Sequence, residues 1–166
     1  MAKTLYLMRH AKSSWKEPLP DHERPLNKRG KRAAKAIGKA LKARGVRPDL
    51  ILSSSALRAD ETAKRVAKKL NPPPPIFSEE DLYEADEKQI LSTLFVRGEE
   101  ADSLLLIGHN PVLSDLAVSL SGIGRLEWLP TGAVVGLYWP EASSWEEIVN
   151  QKGEITLELY PRELTE

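Results

Sequence analysis

The residues Thr4-Leu5-Tyr6-Leu7-Met8 form an apolar run near the start of the chain, and Arg9-His10 follow it directly. A run of this length and composition predicts a short buried strand. The most apolar run of the chain, Ser103–Ile107, predicts a second such strand, and His109 follows it. Because open parallel sheets bind ligands beyond the carboxyl ends of their strands, we expect both histidines to face a binding site.

Apolar runs and helical patterns alternate along the rest of the chain. Further strands are predicted at Asp49–Leu52, Ala133–Trp139 and Glu154–Tyr160, and helices at Asn27–Arg44, Ala59–Leu70, Glu87–Phe95 and Val112–Leu120. The last two strands could run antiparallel, and Ile76–Glu84 is expected to be extended or irregular. Asn110 is the predicted N-cap of the last helix, with Pro111 in its first turn. This alternation predicts one α/β domain over residues 1–166, with a mostly parallel sheet covered on both faces.

The composition excludes several classes of protein. The chain has 166 residues with 24 Lys and Arg against 24 Asp and Glu, and this balance argues against a nucleic-acid-binding or membrane-surface protein. It has no cysteine, so disulfides, thiolate metal sites and cysteine nucleophiles are excluded. The apolar run Leu5–Met8 is too short for a signal peptide, and Leu104–Ile107 is too short for a membrane span. These features predict a soluble cytoplasmic domain.

Cationic and hydroxyl side chains accompany the histidines at the predicted strand ends. Lys12 and Ser13 come just after Arg9-His10. A serine run after the predicted strand Asp49–Leu52 leads to Arg58 at the start of a helix. Arginine offers a planar fork of donors and lysine a compact charge, so both suit an oxyanion, and a helix N-terminus adds positive potential. The sequence therefore predicts an anion site.

Other interpretations of these residues stay open at this point. The two histidines could simply cap their strands, or they could hold zinc together with Asp21 or Glu84. The nearby cations would repel a divalent ion, and the chain has no His-x-x-x-His motif. A Ser-His-Asp hydrolase and a nucleotide-binding loop lack support, because neither Gly-x-Ser-x-Gly nor a phosphate-binding glycine loop is present.

Four stretches, in this order, resemble motifs of the histidine phosphatase superfamily and of its short SixA-type branch, the phosphohistidine phosphatases. The stretches are Arg9-His10-Ala11-Lys12-Ser13, Asp21-His22-Glu23-Arg24-Pro25-Leu26-Asn27-Lys28-Arg29-Gly30, Ser53–Ala63 and Gly108-His109-Asn110-Pro111. The resemblance covers roughly Lys3 to Ser121. Ala11 stands where the superfamily signature has glycine, and this alanine resembles the SixA-type branch. Glu61 stands where the family often has glutamine, at a predicted surface position of its helix.

The resemblance implies a fold and a set of roles. The fold would be a three-layer α/β/α sandwich of the phosphoglycerate mutase-like kind. His10 would be the nucleophile and would carry a phosphohistidine intermediate. Arg9, Arg58 and His109 would grip the phosphoryl oxygens, and His109 would do so best when protonated.

Three further residues have less distinctive roles in the resemblance. Ser13 would add a hydroxyl contact to the substrate. Arg24 would contact the substrate as well, or would instead tie the loop after the first strand. Glu84, in the segment Leu82-Tyr83-Glu84-Ala85, is the candidate acid that protonates a leaving group.

The implied activity is hydrolysis of phosphoryl groups from protein phosphohistidine. No metal or other cofactor is expected, because arginine and histidine supply the positive charge. Phosphate, sulfate and vanadate are the expected site ligands, and neither nucleic acid nor a membrane is an expected partner. A small-molecule phosphomonoesterase is the main alternative. A non-catalytic phosphate-binding protein is a weaker one, because the set of His10, Arg58 and His109 is intact.

Overall fold

The computed structural model describes residues 2–164 and contains six strands and four α-helices. The strands are β1 (Lys3–Arg9), β2 (Leu50–Ser54), β3 (Ile76–Glu79), β4 (Ser103–Gly108), β5 (Val134–Trp139) and β6 (Glu154–Leu159). The helices are α1 (Lys28–Ala43), α2 (Leu57–Lys69), α3 (Glu87–Arg97) and α4 (Val112–Ser121). None of the helices in this part of the chain is long and apolar enough to cross a membrane.

The strands form one sheet in the order β3-β2-β4-β1-β5-β6. β3, β2, β4 and β1 are parallel, whereas β5 is antiparallel to both β1 and β6. The direction of β6 is therefore that of β1, so β5 alone of these strands runs against the others. The predicted mostly parallel sheet is confirmed. The segment Ile76–Glu84, expected to be extended or irregular, begins with the edge strand Ile76–Glu79.

Alternate residues of the central strands pack on opposite faces of the sheet. Leu5 and Leu7 of β1 belong to a core cluster that includes buried apolar residues of α3 and α4. Met8, with Leu105 and Ile107 of β4, belongs to a second cluster that includes Ile37 and Leu41 of α1 and buried apolar residues of α2. Because side chains of a strand point alternately to its two faces, the helices cover both faces, and the predicted three-layer α/β/α sandwich is confirmed.

The start of α1 lies against the loop that follows β1. The Asn27 side chain accepts a hydrogen bond from the Gly30 amide at 2.8 Å and so caps the helix. The Asn27 amide in turn donates to the Lys12 carbonyl at 3.0 Å. A Cβ on Gly30 would lie 2.1 Å from that carbonyl oxygen, so only glycine permits this approach. The glycine of the second motif thus fixes the loop that carries His10.

The start of α4 differs from the prediction. The cap residue is Pro111 and not Asn110, and the helix begins at Val112. The helix thus starts one residue later than expected. The Asn110 side-chain oxygen accepts from the Ser114 hydroxyl at 2.6 Å. Its amide nitrogen donates to the Leu129 carbonyl at 2.8 Å. Asn110 therefore joins the start of α4 to the loop before β5.

Candidate active site

The two predicted histidines lie side by side at the carboxyl edge of the sheet. β1 and β4 are neighbours, with Arg9 paired to Gly108, so His10 and His109 are the next residues in the same register. Their ring centroids are 5.1 Å apart. This separation is well inside the roughly 10 Å within which two groups can contact one phosphoryl group.

His10 is held in one tautomer by its own loop. It is buried, and its Nδ1 lies 2.7 Å from the Ala11 carbonyl oxygen. Because a carbonyl can only accept, Nδ1 carries the proton and Nε2 keeps a free lone pair. Burial lowers the pKa of His10 to about 3, and the charges of His109, Arg58 and Arg9 act in the same direction. The imidazole is therefore neutral near pH 7 and competent as a nucleophile.

The surroundings of His109 favour its neutral ring, and its protonation on binding an anion stays a prediction. Its Nε2 lies 2.7 Å from the Ser54 hydroxyl oxygen at the end of β2. Burial and, after it, the positive charge of Arg58 together lower the pKa of His109 to about 4. A bound phosphoryl dianion would oppose both effects, because a nearby negative charge favours the protonated ring.

Arg9 and Arg58 each keep one buried donor without a protein partner. Arg9 Nη1 donates to the Leu129 carbonyl at 3.2 Å. Arg58 Nη1 and Nη2 donate to the Asp21 carbonyl at 2.7 Å and to its carboxylate at 3.0 Å. Within residues 2–164, the Nε atoms of both arginines are buried and lack a hydrogen-bond partner. Both arginines also line the cavity that contains His10, so their guanidinium groups supply positive charge to an anion held there.

Arg24 ties the loop after β1, which is one of its two predicted roles. Its Nη1 donates to the Ser13 hydroxyl at 2.7 Å, and its guanidinium lies 3.2 Å from the Asp21 carboxylate. The exposed ring of Trp15 packs on the guanidinium at 3.5 Å. Both Arg24 and Ser13 also line the pocket described next, so their predicted contacts with substrate stay predictions.

A cavity of about 670 Å³ opens over these side chains and is called the active-site pocket here. All seven predicted site residues line it: Arg9, His10, Ser13, Arg24, Arg58, Glu84 and His109. Glu84 is exposed to solvent at the pocket. A carboxyl group in this position can reach a leaving group, and its role as an acid stays a prediction.

The hydrogen bond between Asp21 and Tyr83 at the pocket was not predicted from the sequence. Asp21, considered in the sequence analysis only as a metal ligand, accepts from the Tyr83 hydroxyl at 2.5 Å and from Arg58. The Tyr83 hydrogen bond and the arginine donors lower the pKa of Asp21 to about 2. Its place in the motif that contains Arg24 was a usable signal. Tyr83 had none, because its partner is 62 residues away.

Glu61, predicted at a surface position of its helix, is half-buried and hydrogen-bonded. Its carboxylate accepts from the Leu26 amide at 2.8 Å. The adjacent Thr62 hydroxyl accepts from the Ala11 amide at 3.0 Å and donates to the Arg58 carbonyl at 2.7 Å. α2 therefore fixes both loops that surround His10.

The described part of the chain contains no set of ligands for the zinc site considered from the sequence. Among residues 2–164, no three side chains of His, Cys, Asp or Glu are grouped so that they could hold a metal ion. Asp21, one of the two proposed carboxylates, is instead paired with Arg58 and Arg24.

Residues 5–93, more than half of the chain, match the histidine phosphatase superfamily (branch 1). An uncharacterized protein of Mycobacterium tuberculosis (strain CDC 1551 / Oshkosh) is 35% identical over 116 residues, which are 70% of this chain and 71% of that protein. Among solved structures, a candidate phosphohistidine phosphatase SixA from Agrobacterium tumefaciens is 28% identical, with a TM-score of 0.80 over 96% of this chain and 99% of that chain. A protein histidine phosphatase SixA complexed with tungstate shares the fold, with a TM-score of 0.79 at 22% identity over 96% of this chain and 97% of that chain.

Proposed function

The chain belongs to the histidine phosphatase superfamily, and on this premise we propose that it is a metal-independent phosphatase of protein phosphohistidine. His10 Nε2 attacks phosphorus and forms a new N–P bond, while the P–N bond to the substrate imidazole breaks. The substrate ring leaves as neutral imidazole when its other nitrogen carries a proton. Water then attacks phospho-His10, which releases phosphate and restores the free ring.

The observation that carries this proposal is the convergence of two arginines and a second histidine on a neutral histidine. Arg9, Arg58 and His109 line one pocket with His10, and His10 is fixed with Nε2 unprotonated. The transition state of phosphoryl transfer spreads negative charge over its equatorial oxygens, and fixed cationic donors stabilise that charge. In the proposal, the two arginines and His109 hold these oxygens while His10 attacks.

The rim of the pocket supports a substrate presented on a protein surface. Trp15 is 78% exposed and lies against Arg24, and Trp128 is 59% exposed with its ring 5.3 Å from the Arg9 guanidinium carbon. Such exposed aromatic rims suit contact with a protein. The SixA protein of Agrobacterium tumefaciens, described as a candidate phosphohistidine phosphatase, supports the same substrate class. The single domain over residues 1–166 and the cytoplasmic location stay predictions.

Turnover of competing substrates tests the proposal directly. We expect higher kcat/KM on a phosphohistidine-containing protein than on a panel of sugar and nucleotide phosphates. Vanadate should inhibit, because it mimics the five-coordinate transition state, and EDTA should leave the rate unchanged. Loss of activity in EDTA with recovery on adding zinc or magnesium would contradict the metal-independent mechanism.

A small-molecule phosphomonoesterase is the second candidate, and the exposed Glu84 favours it. An alkoxide leaving group needs a proton that imidazole does not, and Glu84 lines the pocket from which such a proton would come. Preference for one metabolite over the phosphohistidine protein would support this alternative. A non-catalytic phosphate-binding protein would bind vanadate and turn over neither substrate.

A further inference from the structure

A second cavity, of about 500 Å³, lies beside the active-site pocket and is called the basic pocket here. Four cationic side chains line it: Lys12, Arg29, Arg32 and Arg162. Its described lining residues include no aspartate or glutamate. The whole chain has a net charge of zero, so this concentration of positive charge is local to the pocket.

We propose that the basic pocket binds carboxylates that flank the phosphohistidine in the protein substrate. This inference rests on the proposed function and narrows the substrate to phosphohistidine in an acidic segment of polypeptide. The chemistry that recognises it is attraction between separated cationic side chains and separated carboxylates along an extended chain.

The basic pocket adjoins the active-site pocket. Lys12 and Thr131 line both cavities. Lys12 is the second residue after His10, so their Cα atoms are at most about 7 Å apart. A polypeptide that places its phosphohistidine against His10 therefore reaches the basic pocket with its next few residues.

The two cavities are also held rigidly relative to each other. The Gly132 amide, next to Thr131, lies 3.0 Å from the carbonyl oxygens of both Arg9 and His10. On the other side, Gly30 of α1 packs against the Lys12 carbonyl with no room for a Cβ. The backbone of α1 therefore keeps a fixed position relative to the loop that carries the nucleophile.

The positive side chains at the start of α1 are in an electrostatically unfavourable position. The first turn of α1 contains no acidic residue, although the N-terminus of a helix favours negative side chains. Arg29 and Arg32 are instead one turn apart at this positive end, on the face that also presents Ala33 and Ala36 to the basic pocket. The small side chains of the alanines leave room for the basic pocket, and the exposed arginines border this pocket. Binding of an anionic partner offsets the repulsion.

Separated carboxylates fit this arrangement better than a second phosphate does. Lys12, Arg32 and Arg162 come from three different segments of the chain, and all three are exposed. The active-site arginines, in contrast, are largely buried and hydrogen-bonded to fixed carbonyls. Exposed cations that are spread along a cavity attract several dispersed charges and do not enclose one compact ion.

Two peptides and two variants test the subsite. One phosphohistidine peptide carries glutamate on both sides of the phosphohistidine, and its partner carries glutamine there. The variant R29Q/R32Q removes two charges of the basic pocket, and R47Q removes an exposed charge that lines neither cavity. We expect R29Q/R32Q to raise KM for the glutamate peptide by roughly three- to tenfold, as two exposed charge pairs would, with little change in kcat.

The comparison between peptides decides the outcome. The wild-type chain and R47Q should prefer the glutamate peptide, and added salt should reduce that preference. An equal KM change for both peptides in R29Q/R32Q would overturn the proposal, as would an unchanged KM for the glutamate peptide. A KM change confined to small bisphosphates would assign the pocket to a second phosphate instead.

A binding measurement separates this inference from the proposed function. The glutamate peptide without phosphate, labelled with a fluorophore, should bind the wild-type chain and R47Q more tightly than R29Q/R32Q by fluorescence anisotropy. If neither phosphohistidine peptide is hydrolysed, the proposed function fails. The anisotropy result still supports or overturns the acidic-segment subsite on its own.

Discussion

The Asp21 carboxylate lies 3.0 Å from Arg58 Nη2, so a built-in anion already contacts one of the arginines proposed to hold phosphate. The Asp21 backbone carbonyl accepts a second hydrogen bond, from Arg58 Nη1 at 2.7 Å. The carbonyl alone can keep the guanidinium in place if the carboxylate is neutralised. Asp21 thus has two opposed effects: it orients Arg58 and repels an incoming phosphoryl group.

We expect D21N to bind vanadate and phosphate more tightly, by up to about fivefold. The amide oxygen can still accept from Arg58, while the repulsion of one exposed charge, worth about 1 kcal/mol at short range in water, is lost. Inhibition constants for vanadate measure the change. Weaker inhibition in D21N would show that the carboxylate is needed to orient Arg58.

G30A should destabilise the fold by about 1–3 kcal/mol, because its Cβ would lie 2.1 Å from the Lys12 carbonyl oxygen. The clash displaces the loop that carries His10, so activity should fall as well. G124A is the matched control, since a Cβ at that position meets no atom within 4 Å. Urea unfolding of the two variants provides the comparison, and equal stability would contradict the close packing of α1 on this loop.

The histidine positions could be predicted because they depend on local patterns. A buried strand that ends in Arg9-His10 and another that ends before His109 are visible as apolar runs. The helices that cover the sheet have the apolar spacing of their core faces. The adjacency of β1 and β4 is a long-range pairing, but the rule for strand ends anticipates where such histidines lie.

The support around the histidines could not be predicted in the same way. Asp21 reaches Arg58 across 37 residues and Tyr83 across 62, and no local pattern encodes such contacts. Helical spacing alone placed Glu61 at the surface, because it does not show that the Leu26 segment packs over α2. The neutral state of His109 follows from burial, which only the assembled fold determines.

The stability of the fold should decrease as the pH falls from about 6.5 towards 4. His109 has a pKa of 6.5 when unfolded and about 4 when folded, so in this window the unfolded chain binds the additional proton. The free energy of unfolding therefore rises with pH there, and the lowered pKa of His10 adds to the slope. H109Q should remove up to about 2 kcal/mol of the loss between pH 7 and pH 4.5. Urea unfolding at both pH values would show it, and an unchanged slope would contradict a buried neutral His109.

E84Q distinguishes the two candidate substrate classes. If Glu84 is the acid, the variant should slow hydrolysis of alkyl phosphates by about a hundredfold or more, because their leaving groups need a proton. Phosphohistidine and aryl phosphates should be spared. E80Q is the control, since Glu80 is an exposed neighbour that does not line the active-site pocket. Equal rates of E84Q and wild type on alkyl phosphates would remove Glu84 from the mechanism.

The losses in kcat/KM from single substitutions in the anion site should not multiply when the substitutions are combined. Removal of Arg9, Arg58 or His109 should each lower kcat/KM by on the order of a hundredfold, since each stabilises the same transition state. The double variant R9A/R58A should therefore lose less than the product of the single losses. Strictly multiplicative losses would show that the two arginines stabilise the transition state independently of each other.

The covalent intermediate on His10 tests the account most directly. A rapid alkaline quench of enzyme with ³²P-labelled phosphohistidine peptide, followed by removal of the peptide and proteolysis of the enzyme, should give acid-labile, base-stable label on the His10 peptide alone among the peptides of the enzyme. H10N is the variant of choice, because His10 is buried and alanine would open a cavity at the site. This variant should carry no label and no turnover while keeping the folded circular dichroism spectrum. Label on Ser13 or Ser14, or full turnover by H10N, would contradict the assignment of His10 as the nucleophile.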